Sequence, residues 1–379
     1  MPNAWQQPTS IAAEALVHLE DALVITRLGA TDKTPDFLAR PNGYAIGDTV
    51  KIKTRAEYEV KEFSTVTEPQ GIRQSTRPMS IEKWFDVSVE LTAREKALDL
   101  DSFSEDVIQP ALYELAEKID LYTGTKILEA AGLYASDDVF GTQDDMAQAR
   151  AAANLQQLNP NRLCLVDNTL EAKLLGKSFF STYDQRGQAG ADAFNRGMMG
   201  NAMGMDFYAS MQFPESVQAT VGDATTTTDS DGTTNLIGLS VLTVAAVTGA
   251  ATAGARLSIA GVKRPVIVAS AVSDSDTTVQ LVDPITEIIP DGAAVTVIGA
   301  GETNLAARGV IMDDRALSFA MPMLDSPSDK PSSVMSSNGY SLRVVTGYDM
   351  STKKEMLSID CLVGAAAYDP RRMCLLRDY

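Results

Sequence analysis

Residues 101–132 read DSFSEDVIQPALYELAEKIDLYTGTKILEAAG, and the rest of the chain is organised around them. Ile108, Leu112, Leu115, Ile119 and Tyr122 recur at four- and three-residue steps, which places them on one stripe of a helix. Ser102 with Glu105 fits a capping box, Glu114 precedes Lys118 by one turn in the favourable order, and Gly132 suits a helix stop. Pro110 breaks the pattern. An interior proline costs about 3 kcal/mol, so the spacing predicts a kink there, or a start near Pro110 with 102–108 as a separate turn. At about 1.5 Å per residue the segment is on the order of 35–45 Å long. It is either a beam or an ordinary core helix.

Upstream, Ala12, Leu16, Leu19 and Leu23 predict an amphipathic helix over 9–28, with Ser10 as cap and Gly29 as stop. Its other faces carry Glu14, Glu20 and Asp21, and the only histidine, His18, reads as a partly exposed helix residue. Residues 29–48 read as an extended arm. Residues 50–62 alternate strictly, with Lys51, Lys53 and Arg55 on a charged face; residues 81–91 alternate too, with Glu82, Asp86 and Glu90. The pattern predicts a long two-stranded arm in which the basic face of the first strand meets the acidic face of the second. Residues 64–80 read as its polar connection. A two-stranded ribbon is marginal alone, so it lies on a neighbouring subunit or on its own domain.

Downstream, a helix is expected at 143–158, a buried strand at RLCLVD (162–167), a short helix at 170–175, and a turn into a strand at 205–210. Between Pro214 and Glu302 there is no aromatic residue, and the only basic ones are Arg256, Lys263 and Arg264. Short Thr/Val/Ala-rich runs there predict a small β-barrel or sandwich, with 220–235 as a low-complexity loop. The chain then returns to longer strands at 308–311, 316–320, 340–348, 355–367 and 371–377, with 325–339 read as a loop.

Composition narrows the function. Hydrophobic residues make up 45% of the 379, enough for a sizeable core. A formal charge of −18 repels nucleic acid, and no basic cluster interleaved with aromatics is present. No apolar run approaches a membrane span, and no signal peptide is visible at the N-terminus. Cys164, Cys361 and Cys374 lack metal spacing and read as reduced core residues. No nucleophile-elbow, zinc or phosphate-loop motif is present, so no catalytic residue, metal or cofactor is assigned.

The order of elements resembles the major capsid proteins of tailed bacteriophages with the HK97-type fold: arm, long hairpin loop, spine helix, then peripheral and axial domains. Within that class it looks most like the P22-type coat proteins. The resemblance rests on VIQPALYELAEKID in the spine, on GMMGNAMGMDFYAS before residue 211, and on ARLSIAGVK (255–263). The insertion here is shorter than that family's. The resemblance implies an α+β chain divided into an N-terminal arm (1–45), a hairpin loop (46–100), a spine (101–132), a core in two parts (133–213 and 303–379) and an inserted β-barrel (214–302).

It also implies a structural role, in which pentamers and hexamers close into an icosahedral shell around double-stranded DNA. Lys51, Lys53, Arg55, Glu82, Asp86 and Glu90 would be subunit contacts. Glu14, Glu20 and Asp21 would meet a scaffolding protein. A portal protein and an optional decoration protein are the further partners, and assembly in the host cytoplasm is expected. The alternatives are an encapsulin-like compartment shell and an enzyme with an unrecognised carboxylate site.

Overall fold

The structure, a computed structural model, describes residues 8–30, 47–53, 76–91, 107–130, 133–134, 142–155, 158–181, 189, 199–214, 216–218, 223–229, 235, 238–252, 255–262, 265–282, 284–285, 287, 289–297, 305–327, 331–349, 354–367 and 372–378. In chain order the helices are α1 (Pro8–Ala22), α2 (Gln109–Ala130), α3 (Gln143–Leu155), α4 (Asn168–Leu175) and α5 (Ser178–Ser181). The strands are β1 (Thr49–Lys53), β2 (Thr76–Ser80), β3 (Lys83–Leu91), β4 (Leu133–Tyr134), β5 (Arg162–Val166), β6 (Asn201–Ala202), β7 (Met205–Ala209) and β8 (Ser216–Gln218). They continue with β9 (Thr225–Thr227), β10 (Val241–Thr243), β11 (Arg256–Ile259), β12 (Val266–Ile267), β13 (Thr278–Gln280) and β14 (Ala294–Val297). The last are β15 (Leu305–Asp313), β16 (Leu317–Ala320), β17 (Ser332–Ser337), β18 (Tyr340–Asp349), β19 (Lys354–Ala367) and β20 (Met373–Asp378).

The long helix α2 starts at Gln109, so Pro110 sits in its first turn, where a missing N–H costs little. Its 22 residues span about 33 Å. The expected stripe is buried: Ile108, Leu112, Leu115 and Ile119 are at most 2% exposed. Tyr113, Glu117 and Leu121 face outward. The Ser102/Glu105 box and Gly132 lie outside the described residues.

Helix α1 ends at Ala22, earlier than its seam implies, and a 3-10 turn follows at Thr26–Leu28. The cause is Asp120 on α2. Its carboxylate accepts from the amides of Val24, Ile25 and Thr26 at 2.8, 3.1 and 2.9 Å. A continued helix would have used those amides itself. The seam Ala12, Leu16, Leu19 and Leu23 is buried in the chain's own core, against α2 and the sheet of β16, β19, β18, β17 and β3. This sheet is antiparallel, with β19 in its middle.

A second sheet runs β4-β20-β15-β5-β7-β6, with β8 also on β15. Both its faces are covered. Cys164, Val166, Ile311, Cys374 and Leu376 meet α3, α4 and α5 on one side. Leu165, Val310, Met312 and Leu375 meet Ile127 of α2 and Leu317 of the first sheet on the other. That two-sided burial explains why RLCLVD reads as a continuous apolar run. Residues 223–297 form a third body with a core of their own, built from β9–β14.

Three expectations are corrected. Strands β1 and β3 do not pair. β1 pairs with β2, inside the stretch expected to be a connection, with Lys51 opposite Pro78 and Lys53 opposite Thr76. β3 pairs with β19 along its whole length, from Lys83↔Val363 to Leu91↔Glu355. The reason is burial: Phe85, Val87 and Val89 pack against the core under α1 and α2, and only the main sheet supplies that cover. Residues 225–227, expected as loop, form β9 on the edge of β14. Residues 332–337, also expected as loop, form β17, closed onto β18 by Asn338-Gly339 with φ of 52° and 86°. Positive φ at both positions is the hairpin geometry that Asn-Gly favours.

Candidate assembly surfaces

The ribbon β1–β2 rests on its own chain through one face only. Ile52, Met79 and Ile81 pack on Ala320 and Leu362. A side chain at Gly364 would meet the Ser80 carbonyl at 2.6 Å, so glycine permits the close seat of the ribbon's root. The other side of β1 exposes Lys51 and Lys53. Arg55 lies outside the described residues.

The three acidic residues of the expected arm are engaged within the chain. Glu82 accepts from Ser80 at 2.7 Å and from Tyr122 at 3.2 Å, and pairs with Lys126 at 3.2 Å. It thereby ties the β2–β3 junction to α2. Burial alone would raise the Glu82 carboxyl; the bonds from Ser80, Lys126 and Tyr122 outweigh it and hold the group below the ordinary carboxylate range. Asp86 accepts from Ser88 and Ser358 at 2.8 and 2.5 Å, and Glu90 pairs with Lys354 at 2.5 Å.

On the N-terminal helix, Glu14 bonds His18 at 3.2 Å, and Glu20 accepts from Asn338 at 2.7 Å. Asp21 is exposed. His18 also lies 3.3 Å from the Gln109 amide, at the start of α2.

Two clusters were not anticipated. Asp120 is 2% exposed and takes a fourth bond from the Thr26 hydroxyl at 2.6 Å, with Thr123 beside it. One turn on, a Cβ at Gly124 would lie 2.5 Å from Pro214 Cδ, so α2 and the segment after β7 touch backbone to ring. The available signal was a carboxylate and a glycine on the flank of an otherwise apolar stripe. The second cluster spans three strands. Asp360, 3% exposed, accepts from Trp84 Nε1 at 3.0 Å and from Arg343 Nε and Nη2 at 3.0 and 2.5 Å. The guanidinium also lies over the Trp84 ring, 5.8 Å from its centroid. The pair is bidentate and shielded, the geometry in which a carboxylate tolerates burial.

Burial pushes all three cysteine thiols up, Cys374 to about 12, which disfavours the reactive thiolate. Among the described residues no three His, Cys, Asp or Glu side chains converge as metal ligands, and no helix is long and apolar enough to cross a membrane. A cleft of about 570 Å³ beside α3 and α5 is lined by Gln143, Met146, Phe179, Phe180, Asn201 and Met203, with two alanines. None of these side chains can act as an acid or base near neutral pH.

No family model matches the chain, and no curated protein matches it. Solved structures do. A chain of Mycobacterium phage Che8 is 9% identical, with 93% of this chain and 90% of that one covered at a TM-score of 0.52. A chain of the cyanophage P-SCSP1u capsid is 13% identical over 89% and 85% at 0.47, and one of the capsid of Ralstonia phage GP4 is 11% identical over 88% and 84% at 0.45. The chain therefore shares a fold with a phage protein along nearly its whole length, without detectable kinship in sequence.

Proposed function

We propose that this chain is the repeating coat subunit of a tailed-phage capsid of the HK97-type fold. Many copies form pentamers and hexamers that close into an icosahedral shell around double-stranded DNA. The observation that carries this reading is the fold shared with the Che8 phage chain over nearly the whole of both chains.

On this reading α2 is the spine, β1–β2 is the root of the long loop, and the sheet of β3 and β16–β19 is the peripheral domain. The sheet around β15 is the axial domain. Residues 214–302 are an inserted β domain of the P22 type; the third core, drawn wholly from residues 224–297, supports this. Lys51 and Lys53 are the best of the six loop residues as subunit contacts, being exposed on a ribbon covered on one face only. Glu82, Asp86 and Glu90 already hold partners in their own chain. Of the three candidates for a scaffolding contact, Asp21 is exposed, while Glu14 and Glu20 hold partners. A portal protein and an optional decoration protein remain the further partners by the same reading. A charge of −18 leaves enclosed DNA free to slide, because phosphate affinity comes mainly from counterions released at Lys and Arg.

Electron microscopy of the purified protein, alone and with its scaffold, tests the reading. Uniform closed shells are expected. A single small oligomer under both conditions would overturn it. Lys51→Glu with Lys53→Glu is expected to abolish shells while leaving the helical signal of the soluble subunit unchanged.

A further inference from the structure

The sheet under α1 and α2 ends at β17, and no strand of the described residues covers that strand's second edge. Residues 332–337 read Ser-Ser-Val-Met-Ser-Ser. Exposed edges are usually guarded by a charge, a proline or a bulge. Here the strand carries none of these: it pairs with β18 in unbroken register.

The register says which groups face outward. The two-residue turn at Asn338-Gly339 makes Ser337 and Tyr340 a hydrogen-bonded pair, and pairs then alternate along the hairpin. Met335 and Ser333 therefore bond to β18, and the Pro331 carbonyl accepts from the Thr346 amide at 2.9 Å in the same phase. Ser332, Val334 and Ser336 point their N–H and C=O groups away, toward the uncovered edge. Val334 stands opposite Arg343, and its neighbour Met335 packs into the core beneath α1.

This edge is self-complementary. An antiparallel copy centred on Val334 sets Val334 opposite Val334 and Ser332 opposite Ser336, so the outward groups meet in three rungs. No like charges are opposed in these rungs, in a chain whose formal charge is −18. A twofold contact of this kind needs no second type of surface. We propose that β17 pairs antiparallel with β17 of a second copy of this chain, centred on Val334, joining two sheets into one. The choice of a second copy as occupant rests on the self-assembling role proposed above; the pairing itself is measurable without shells.

The test uses the full-length chain with Val334→Cys under mild oxidation. A hydrogen-bonded antiparallel pair holds its Cα atoms about 5.5 Å apart, within the span a disulfide bridges. The native cysteines are buried and do not compete. A covalent dimer is expected from Val334→Cys and none from Ser336→Cys, which faces Ser332 instead. Val334→Pro removes one outward N–H without touching a bond to β18. It should lower the dimer fraction roughly tenfold or more in sedimentation, with circular dichroism unchanged.

Shells without the Val334→Cys cross-link would overturn the pairing and leave the coat reading intact. Neither shells nor cross-link would overturn both. A cross-linked dimer that never forms shells would uphold the pairing and sink the coat reading. Equal cross-linking at positions 334 and 336 would mean random collision, and an exchange-protected Val334 amide in dilute monomer would mean that another part of the same chain covers the edge. Either result overturns the pairing.

Discussion

The sheet beneath α2 and the β body at 223–297 are both antiparallel, yet they are assembled from opposite materials. The first joins segments far apart in sequence: β3 lies on β19, with Ser88 opposite Ser358. Its core uses large side chains, such as Leu112, Ile119, Phe319 and Tyr340, and three carboxylates stitch its pieces together, Glu82, Asp120 and Asp360. The second draws its core from Val, Ile, Leu and Ala alone. Among its inner polar bonds are neutral ones, from Thr228 to Pro290 and Ala293, and from Asn235 to Asp229 and Thr243. Long-range pairing costs more chain entropy before it is rewarded, and the Trp84–Asp360 bond fastens strands 276 residues apart.

The sharpest break in this comparison is Asp120→Ala. It strands three backbone amides and the Thr26 hydroxyl in a buried site, at a cost of about 3–5 kcal/mol. Hydrogen exchange should show protection lost in α1, α2 and β19 while 223–297 stays protected. Loss of both together would mean the two bodies are not separate units. Gly124→Ala comes next. A Cβ there meets Pro214 at 2.5 Å, and overpacking of this kind costs about 2–3 kcal/mol. It should lower the denaturation midpoint of the same region, with the slope unchanged.

The converse change is Thr228→Val, which leaves the Pro290 carbonyl and the Ala293 amide without their partner. A loss of about 1–2 kcal/mol is expected, confined to 223–297. The isolated fragment 213–303 should fold as β structure and show the same loss in its own unfolding curve. A fragment without a cooperative transition would tie this body to the rest of the chain.

The smallest effect concerns pH. The Glu82 carboxyl is held below its ordinary value of 4.5. Its contribution is therefore complete above that pH and is lost as pH falls through the lowered folded value. The side chain is 39% exposed, so solvent screening holds the contribution to a few tenths of a kcal/mol. The stability difference between the native chain and Glu82→Gln should be present at pH 7 and vanish in acid. A difference that grows on acidification would reverse the sign assigned here.

Periodicity made much of this fold legible, because it depends only on neighbours along the chain. Spacing alone predicts the α2 stripe, a kink or a start near Pro110, the buried run at 162–167, and the pair of strands at 340–348 and 355–367, which the structure places at Tyr340–Asp349 and Lys354–Ala367. The composition change between Pro214 and Glu302 marks out the stretch that holds the third core. Asn338-Gly339 was a local signal as well, and it specified β17 inside a stretch that otherwise looked like loop. Pairing partners were another matter. Strands β1 and β3 alternate equally well, and nothing in their charges says that Lys51 will face Pro78 while Glu90 faces Met356 and bonds Lys354. That choice was made by the need to bury Phe85, Val87 and Val89 under two helices. Asp120 shows the same limit: its ligands lie 94 to 96 residues away, so only the assembled packing of α1 on α2 turns a lone carboxylate in an apolar stripe into the clasp that ends a helix.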